Sequence, residues 1–231
     1  GLAEPTGSPL DPERLRWAIG LHREIDAARL QLLEGRARLK MSDAELYKVL
    51  RRGEWLWPED HLDELKGAAK KLGEEPCQKG VPLLLSGIVP EPMSLFDELA
   101  DMGAWVAADD YAAVGRRVVR RPLVDKEDPL ETLGWLMFAA PPCPTRATSL
   151  PVRLDYLSRL LHAGGAAGVV IHTVKFCEPE LFDVAGIKQH FSEQGVPVLF
   201  VESELEAELS GQTVTRLEAF VEMVADSRRK S

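Results

Sequence analysis

The feature that most constrains this chain is the rhythm of its second half, where short apolar runs alternate with stretches of helical spacing. Val81–Ser86 (VPLLLS) is a continuous apolar run closed by Gly87, and Trp105–Ala108 is a second, ending in Asp109–Asp110. Gly168–His172 (GVVIH) is a third, and Val196–Glu202 (VPVLFVE) a fourth. Between them, Glu91–Met102, 128–138, 151–163 and Leu181–Gln194 read as helices, and Thr213–Ala225 closes the chain as another. Apolar strands this short, separated by helices, pair in parallel and are covered on both faces. Their crossovers are right-handed. The expected fold is therefore α/β, a small doubly wound, flavodoxin-like parallel sheet of four strands. In such sheets ligands gather outside the carboxyl ends of the strands. Those ends are Ser86–Gly87, Asp109–Asp110, His172–Thr173 and Glu202–Ser203.

The first 73 residues read differently. Residues 11–39 carry Leu15, Ile19, Ile25, Leu32 and Leu33 near helical spacing, and Asp11–Pro12 is a good pair to start that helix. Ser42 and Glu45 form a Ser-x-x-Glu capping box for a second helix. A third runs from Pro58 through Lys71 and stops at Gly73. No strand is expected here. The polar run GEEPCQKG then reads as a linker, which divides the chain into a helical segment, 1–73, and an α/β domain, 74–231.

Composition narrows the classes. With 231 residues, 45% hydrophobic and 28% charged, the chain reads as an ordinary soluble protein. A formal charge of −9 argues against a general nucleic-acid binder, which needs a basic stripe to meet phosphates. The local exception is Arg116, Arg117, Arg120 and Arg121, read as solvated charge or a partner contact. No apolar run is long enough for a membrane span, and the opening residues lack the pattern of a secretory signal, so the cytoplasm is expected. A leading Gly without Met suits a trimmed or processed chain. Three cysteines do not make a disulfide framework. Phosphate-loop, dinucleotide, zinc and nucleophile-elbow motifs are absent. The run GGAAG at 164–168 precedes a strand, so no helix N-terminus is aimed at its glycines, and it reads as a helix end plus a turn. Trp55 and Trp57 are expected to be packing anchors.

The segment carrying chemistry is HTVKFCEPE, residues 172–180, directly after the third strand. A cysteine past a strand end and before a helix N-terminus sits near backbone donors and a positive dipole end, both of which favour thiolate. Lys175 adds positive charge. Cys177 is thus either a functional thiolate or a buried thiol under the loop, and the residues alone leave both open.

The run VKFCEPELFDVAGIKQHFSEQGVPVLFVESE, followed by SGQTVTRLEAFVEM, resembles the core subunits of the 2-hydroxyacyl-CoA dehydratase and benzoyl-CoA reductase family. The matching blocks are Lys175–Glu178, Gly195–Leu199 and Gly211–Phe220, with Leu85–Gly87, Ala108–Asp110, Asp128–Glu131 and Pro142–Pro144 upstream. Even residues 11–70 look like the helices that join the two halves of such subunits. The resemblance implies an oxygen-sensitive [4Fe–4S] cluster held by three cysteines, with one iron open to substrate. Cys177 matches one of those cysteines, and Cys143, in Pro-Pro-Cys-Pro, is a second candidate ligand. Cys77, in the linker, reads as incidental.

The resemblance further implies a CoA thioester substrate and low-potential one-electron transfer from an ATP-dependent activator protein, in anaerobic metabolism. Either hydroxyl loss, a lyase reaction, or ring reduction follows. A second core subunit, or the N-terminal half that such subunits have, would complete the site as a heterodimer or single chain. His172 would polarise a thioester oxygen or sit satisfied and half-buried. Thr215 and Arg216 would face the ligand end, with Arg216 on a CoA phosphate or paired with Glu218 or Glu202, and the Arg116–Arg121 cluster would meet the CoA pyrophosphate if it is not solvated or at a partner contact. The sequence departs from the family pattern at two points. Glu178 stands for the usual Asp, and Asp109-Asp110-Tyr111 lacks a neighbouring Cys. A cluster-free, non-catalytic partner subunit is the alternative reading, and a metal-free thiol enzyme using Cys177 with His172 as base is a third.

Overall fold

The structure, a computed structural model, describes residues 7, 9–120, 124–146, 148–205 and 208–230. Three helices come first: α1 (Pro12–Glu34), α2 (Asp43–Arg51) and α3 (Pro58–Ala69). Asp11 caps α1 by accepting from the backbone of Glu13 and Arg14, and Ser42 and Glu45 form the expected capping box on α2. An antiparallel bridge between Leu39 and Leu72 ties the turn after α1 to the end of α3.

The second half alternates as β1 (Val81–Gly87), α4 (Ser94–Asp101), β2 (Ala104–Tyr111), α5 (Pro129–Ala139), α6 (Leu150–Gly164), β3 (Gly168–Val174), α7 (Glu178–Glu193), β4 (Val198–Ser203) and α8 (Gly211–Lys230). The four strands form one all-parallel sheet in the order β2-β1-β3-β4. This is the doubly wound order expected, with the chain running to one side after β1 and returning to the other through β3.

The strands alternate between two apolar cores, as side chains of period two must. Leu83, Leu85, Val170 and Val201 point to one face and pack with α4, α8 and the three N-terminal helices. Leu84, Val169 and Ile171 point to the other, under Leu157 and Leu161 of α6 and Ile187 and Phe191 of α7. The first core is continuous from Leu32 and Tyr47 of the N-terminal helices into the sheet.

Several boundaries shift from the sequence expectation for local reasons. α4 begins at Ser94 instead of Glu91, because Pro90 and Pro92 disfavour helical backbone in the residues before them. α6 ends at Gly164, and Gly165 takes the left-handed conformation (φ 62°), the helix end and turn expected of GGAAG. Trp55 and Trp57 are 66% and 77% exposed, so they anchor no packing. They lie between α2 and α3, outside the stripes those helices bury. Among the described residues no helix is long and apolar enough to cross a membrane.

Candidate functional site at the carboxyl edge of the sheet

β2 does not stop before its acidic pair; it carries Asp109 and Asp110 within the strand, 3% and 0% exposed. A carboxylate taken out of water is stable only when paired and hydrogen-bonded. Asp109 is paired with Arg36, from the turn after α1, and accepts from the backbone N–H of Tyr111 (3.1 Å) and Gly115 (3.0 Å). Asp110 receives Arg116 through two bonds, both 2.9 Å, as well as the hydroxyl of Ser86 at 3.0 Å.

Arg116 then reaches Glu180, in the first turn of α7, at 2.6 Å. Arg153, fully buried in the first turn of α6, donates to Glu180 at 2.6 Å, Asp110 at 3.3 Å, Ser86 at 3.2 Å and Asp183 at 2.7 Å. Burial opposes the charge on both arginines, yet Asp110 and Glu180 beside them raise both guanidinium pKa values above normal. This buried lattice ties together β1, β2, α6 and α7. It also corrects the reading of Arg116 as solvated charge, while Arg121 lies outside the described residues.

Cys143 joins this lattice. Its Sγ accepts from Arg116 Nη1 at 3.4 Å and lies 2.9 Å from Thr145 Oγ1, and it is 4% exposed. Burial pushes the thiol up, but the Thr145 hydroxyl and the Arg116 charge outweigh it and bring Cys143 below an ordinary thiol. Cys177 is the N-cap of α7, partly exposed, two residues before the helical Pro179. Arg116 therefore connects the thiol of Cys143 to the helical turn that Cys177 caps. Just before Cys177, Phe176 holds a left-handed backbone (φ 65°) with its ring 90% exposed. An aromatic residue rarely adopts that conformation, and such strain concentrates at functional sites.

His172 lies inside the protein, 1% exposed. Nδ1 is 3.0 Å from the Tyr111 hydroxyl and Nε2 is 2.7 Å from Ser203 Oγ. A chain from Tyr111 O–H to Nδ1, from Nε2–H to Ser203, and from Ser203 O–H to the Glu91 carbonyl (3.5 Å) satisfies every donor. Burial lowers the His172 pKa to about 4, so the ring is neutral. Next to it, Thr173 is fully buried and its Oγ1 has no hydrogen-bond partner. Thr215 and Arg216 are exposed on α8. Thr215 donates to the Gly211 carbonyl at 3.1 Å, and Arg216 donates to the Phe200 carbonyl on β4 at 2.7 Å.

Among the described residues no three His, Cys, Asp or Glu side chains gather as a metal-binding group. The cysteines of this chain thus do not by themselves fit an iron–sulfur cluster, which takes several thiolates on one site. Arg153 carried no motif, and Glu180 and Asp183, though inside the run VKFCEPELFDV, were given no role from the sequence. One signal was present: an arginine in the first turn of a helix opposes the macrodipole, so Arg153 needed carboxylate partners from elsewhere.

Fold and site together define a doubly wound α/β protein whose carboxyl edge is built around a buried ion lattice and a cysteine-capped helix. A family model described as 2-hydroxyglutaryl-CoA dehydratase, D-component, matches residues 1–224, and the chain belongs to that family. Lactoyl-CoA dehydratase subunit beta of Anaerotignum propionicum is 26% identical over 180 residues, 77% of this chain and 48% of that protein. The (R)-phenyllactyl-CoA dehydratase beta subunit of Clostridium sporogenes is 26% identical over 161 residues, 70% and 41% of the respective chains. Subunit beta of (R)-2-hydroxyglutaryl-CoA dehydratase from Acidaminococcus fermentans is 24% identical over 182 residues, 75% and 47%. The chain spans about half the length of these curated relatives.

Proposed function

We propose that this chain is the C-terminal part of a subunit of a 2-hydroxyacyl-CoA dehydratase. In this reading it works with a partner subunit and an ATP-dependent activator, and Cys177 is its contribution to an iron–sulfur cluster. Dehydration is favoured over ring reduction because the three relatives are all dehydratase subunits. The observation that carries the site is the placement of Cys177. Cys177, partly exposed, stands at the N-cap position of α7 just beyond the carboxyl end of β3, beside the switch point between β1 and β3 where doubly wound sheets take ligands.

The remaining cluster ligands come from outside this chain. When bound, the cluster supplies one-electron chemistry. The residues described here hold and orient. Glu180, locked between Arg116 and Arg153, fixes the first turn of α7 and with it the direction of Cys177. The neutral His172 links β2 to β4 through Tyr111 and Ser203, which makes it a positioning group for the strand ends. Arg216 holds the edge of β4, and Thr215 the start of α8.

Anaerobic purification followed by iron and sulfide analysis tests the reading. About four irons per cluster, lost on Cys177→Ser while the fold is retained, is the expected result. An iron-free, stably folded protein, purified with its partner subunit, would overturn it. That result would favour the second reading, a cluster-free supporting subunit, to which the engagement of Cys143 by Arg116 already lends weight.

A further inference from the structure

Away from Cys177, along the outer edge of β2, lies a cavity of about 530 Å³ that borders the buried Arg36–Asp109 pair. Protein interiors are normally filled to the density of organic crystals, and cavities of this size are characteristic of small-molecule sites. Its apolar wall includes Ala107, Ala108, Ala139, Pro142 and Leu160, small or flat residues that leave the space open. Its polar wall carries Glu34, Arg36, Asp109, Arg120, Tyr156 and Arg159, and two of these meet directly. Arg120 Nη1 donates to the hydroxyl of Tyr156 at 2.9 Å and to the Gly115 carbonyl at 3.3 Å. A phenol oxygen that accepts from a guanidinium keeps its own proton for another acceptor. Burial raises the Tyr156 pKa and outweighs the Arg120 charge, which lowers it, so that proton stays in place.

Arg120 is half-buried, and among the described residues no carboxylate pairs with it. The other two arginines on the wall are already matched, Arg36 by Asp109 and Arg159 by Asp155. Arg36 nevertheless keeps its buried Nε–H without a hydrogen-bond partner. Two carboxylates also line the cavity, but Asp109 is paired with Arg36 and Glu34 is exposed, so the half-buried Arg120 donates only to neutral oxygens. A partly desolvated cation in that position calls for an anion, and the alanine wall for an apolar body.

We propose that this cavity binds a small amphipathic anion, a linear or aromatic monocarboxylate. Its apolar body lies along the alanine wall and its carboxylate accepts from Arg120 and Tyr156. The inference is independent of the cluster reading. Isothermal titration of the full chain with octanoate, octan-1-ol and inorganic phosphate tests it. Octanoate is expected to bind, with octan-1-ol and phosphate at least about tenfold weaker, since each lacks one of the two recognised features. Arg120→Gln and Tyr156→Phe are each expected to weaken octanoate about tenfold. Ala163→Leu, at an exposed helical position on the cavity rim, is expected to block binding while the protein stays folded. Absence of octanoate binding, equal binding of the alcohol or phosphate, or binding unchanged in Arg120→Gln and Ala163→Leu would each overturn the proposal.

Discussion

The clearest consequence at the level of single residues concerns His172, which is enclosed, neutral and hydrogen-bonded at both ring nitrogens. Its pKa is about 4 in the folded protein, against roughly 6.5 in an unfolded chain. Between those values the unfolded state binds the extra proton, so stability is fully present above the unfolded pKa and falls as pH drops toward 4. The difference corresponds to roughly 3 kcal/mol when both transitions are complete. Urea unfolding at pH 7 and pH 5 should show a marked loss at the lower pH, and His172→Gln should be less stable at pH 7 yet show a shallower loss. An unchanged slope would mean that the ring is solvated. The same residue shows how far sequence reasoning reaches. A histidine at a strand end reads equally as a substrate polariser or a satisfied core group, and its surroundings come from Tyr111 and Ser203, far away along the chain.

At the level of elements, the sheet owes its regularity to a close approach between β1 and β3. A Cβ on Gly87 would stand 1.9 Å from the His172 carbonyl oxygen and 3.0 Å from the Tyr111 ring. Neither backbone nor a fully buried ring can retreat that far, so glycine is required at this strand end. Gly87→Ala is expected to force β1 and β3 apart and destabilise the protein by several kcal/mol, about the range of overpacked core substitutions or above it. A thermal melt of Gly87→Ala beside the parent chain checks this, and an unshifted melting temperature would refute the contact. β2 illustrates the other direction. As an edge strand it is covered by side chains, Asp43 accepting from the Val106 N–H at 2.8 Å and Arg36 donating to the Val106 carbonyl at 3.4 Å. Its apolar run ended, in sequence, at the acidic pair. It continues through that pair because Arg36, Arg116 and Arg153 converge there.

For the molecule as a whole, Arg36 joins the helical segment to the sheet. It donates to Tyr47 at 3.1 Å and pairs with Asp109 inside a core shared by both. Tyr47 stacks on Phe96 at 4.2 Å and meets Tyr111 edge-on, extending the same contact toward His172. Arg36→Met leaves Asp109 buried without its guanidinium, a loss of about 3–5 kcal/mol. Tryptophan fluorescence and far-UV circular dichroism are expected to report one coincident urea transition at a lower midpoint. Separate transitions would instead show that the segments before and after residue 73 unfold independently.

Read from the residues alone, the order of helices and strands, the parallel pairing and the caps of the first two helices were all legible. Each follows from interactions within a few residues or from a period of apolar side chains. Cys177 was legible as a residue between a strand end and a helix N-terminus for the same reason, though the helix starts at Glu178, three residues earlier than expected. The ion lattice was decided only by tertiary structure. Arg116 and Glu180 are 64 residues apart, and Arg36 and Asp109 are 73 apart. Whether a charge is solvated or buried depends on which opposite charge the fold delivers to it, and no local pattern encodes that.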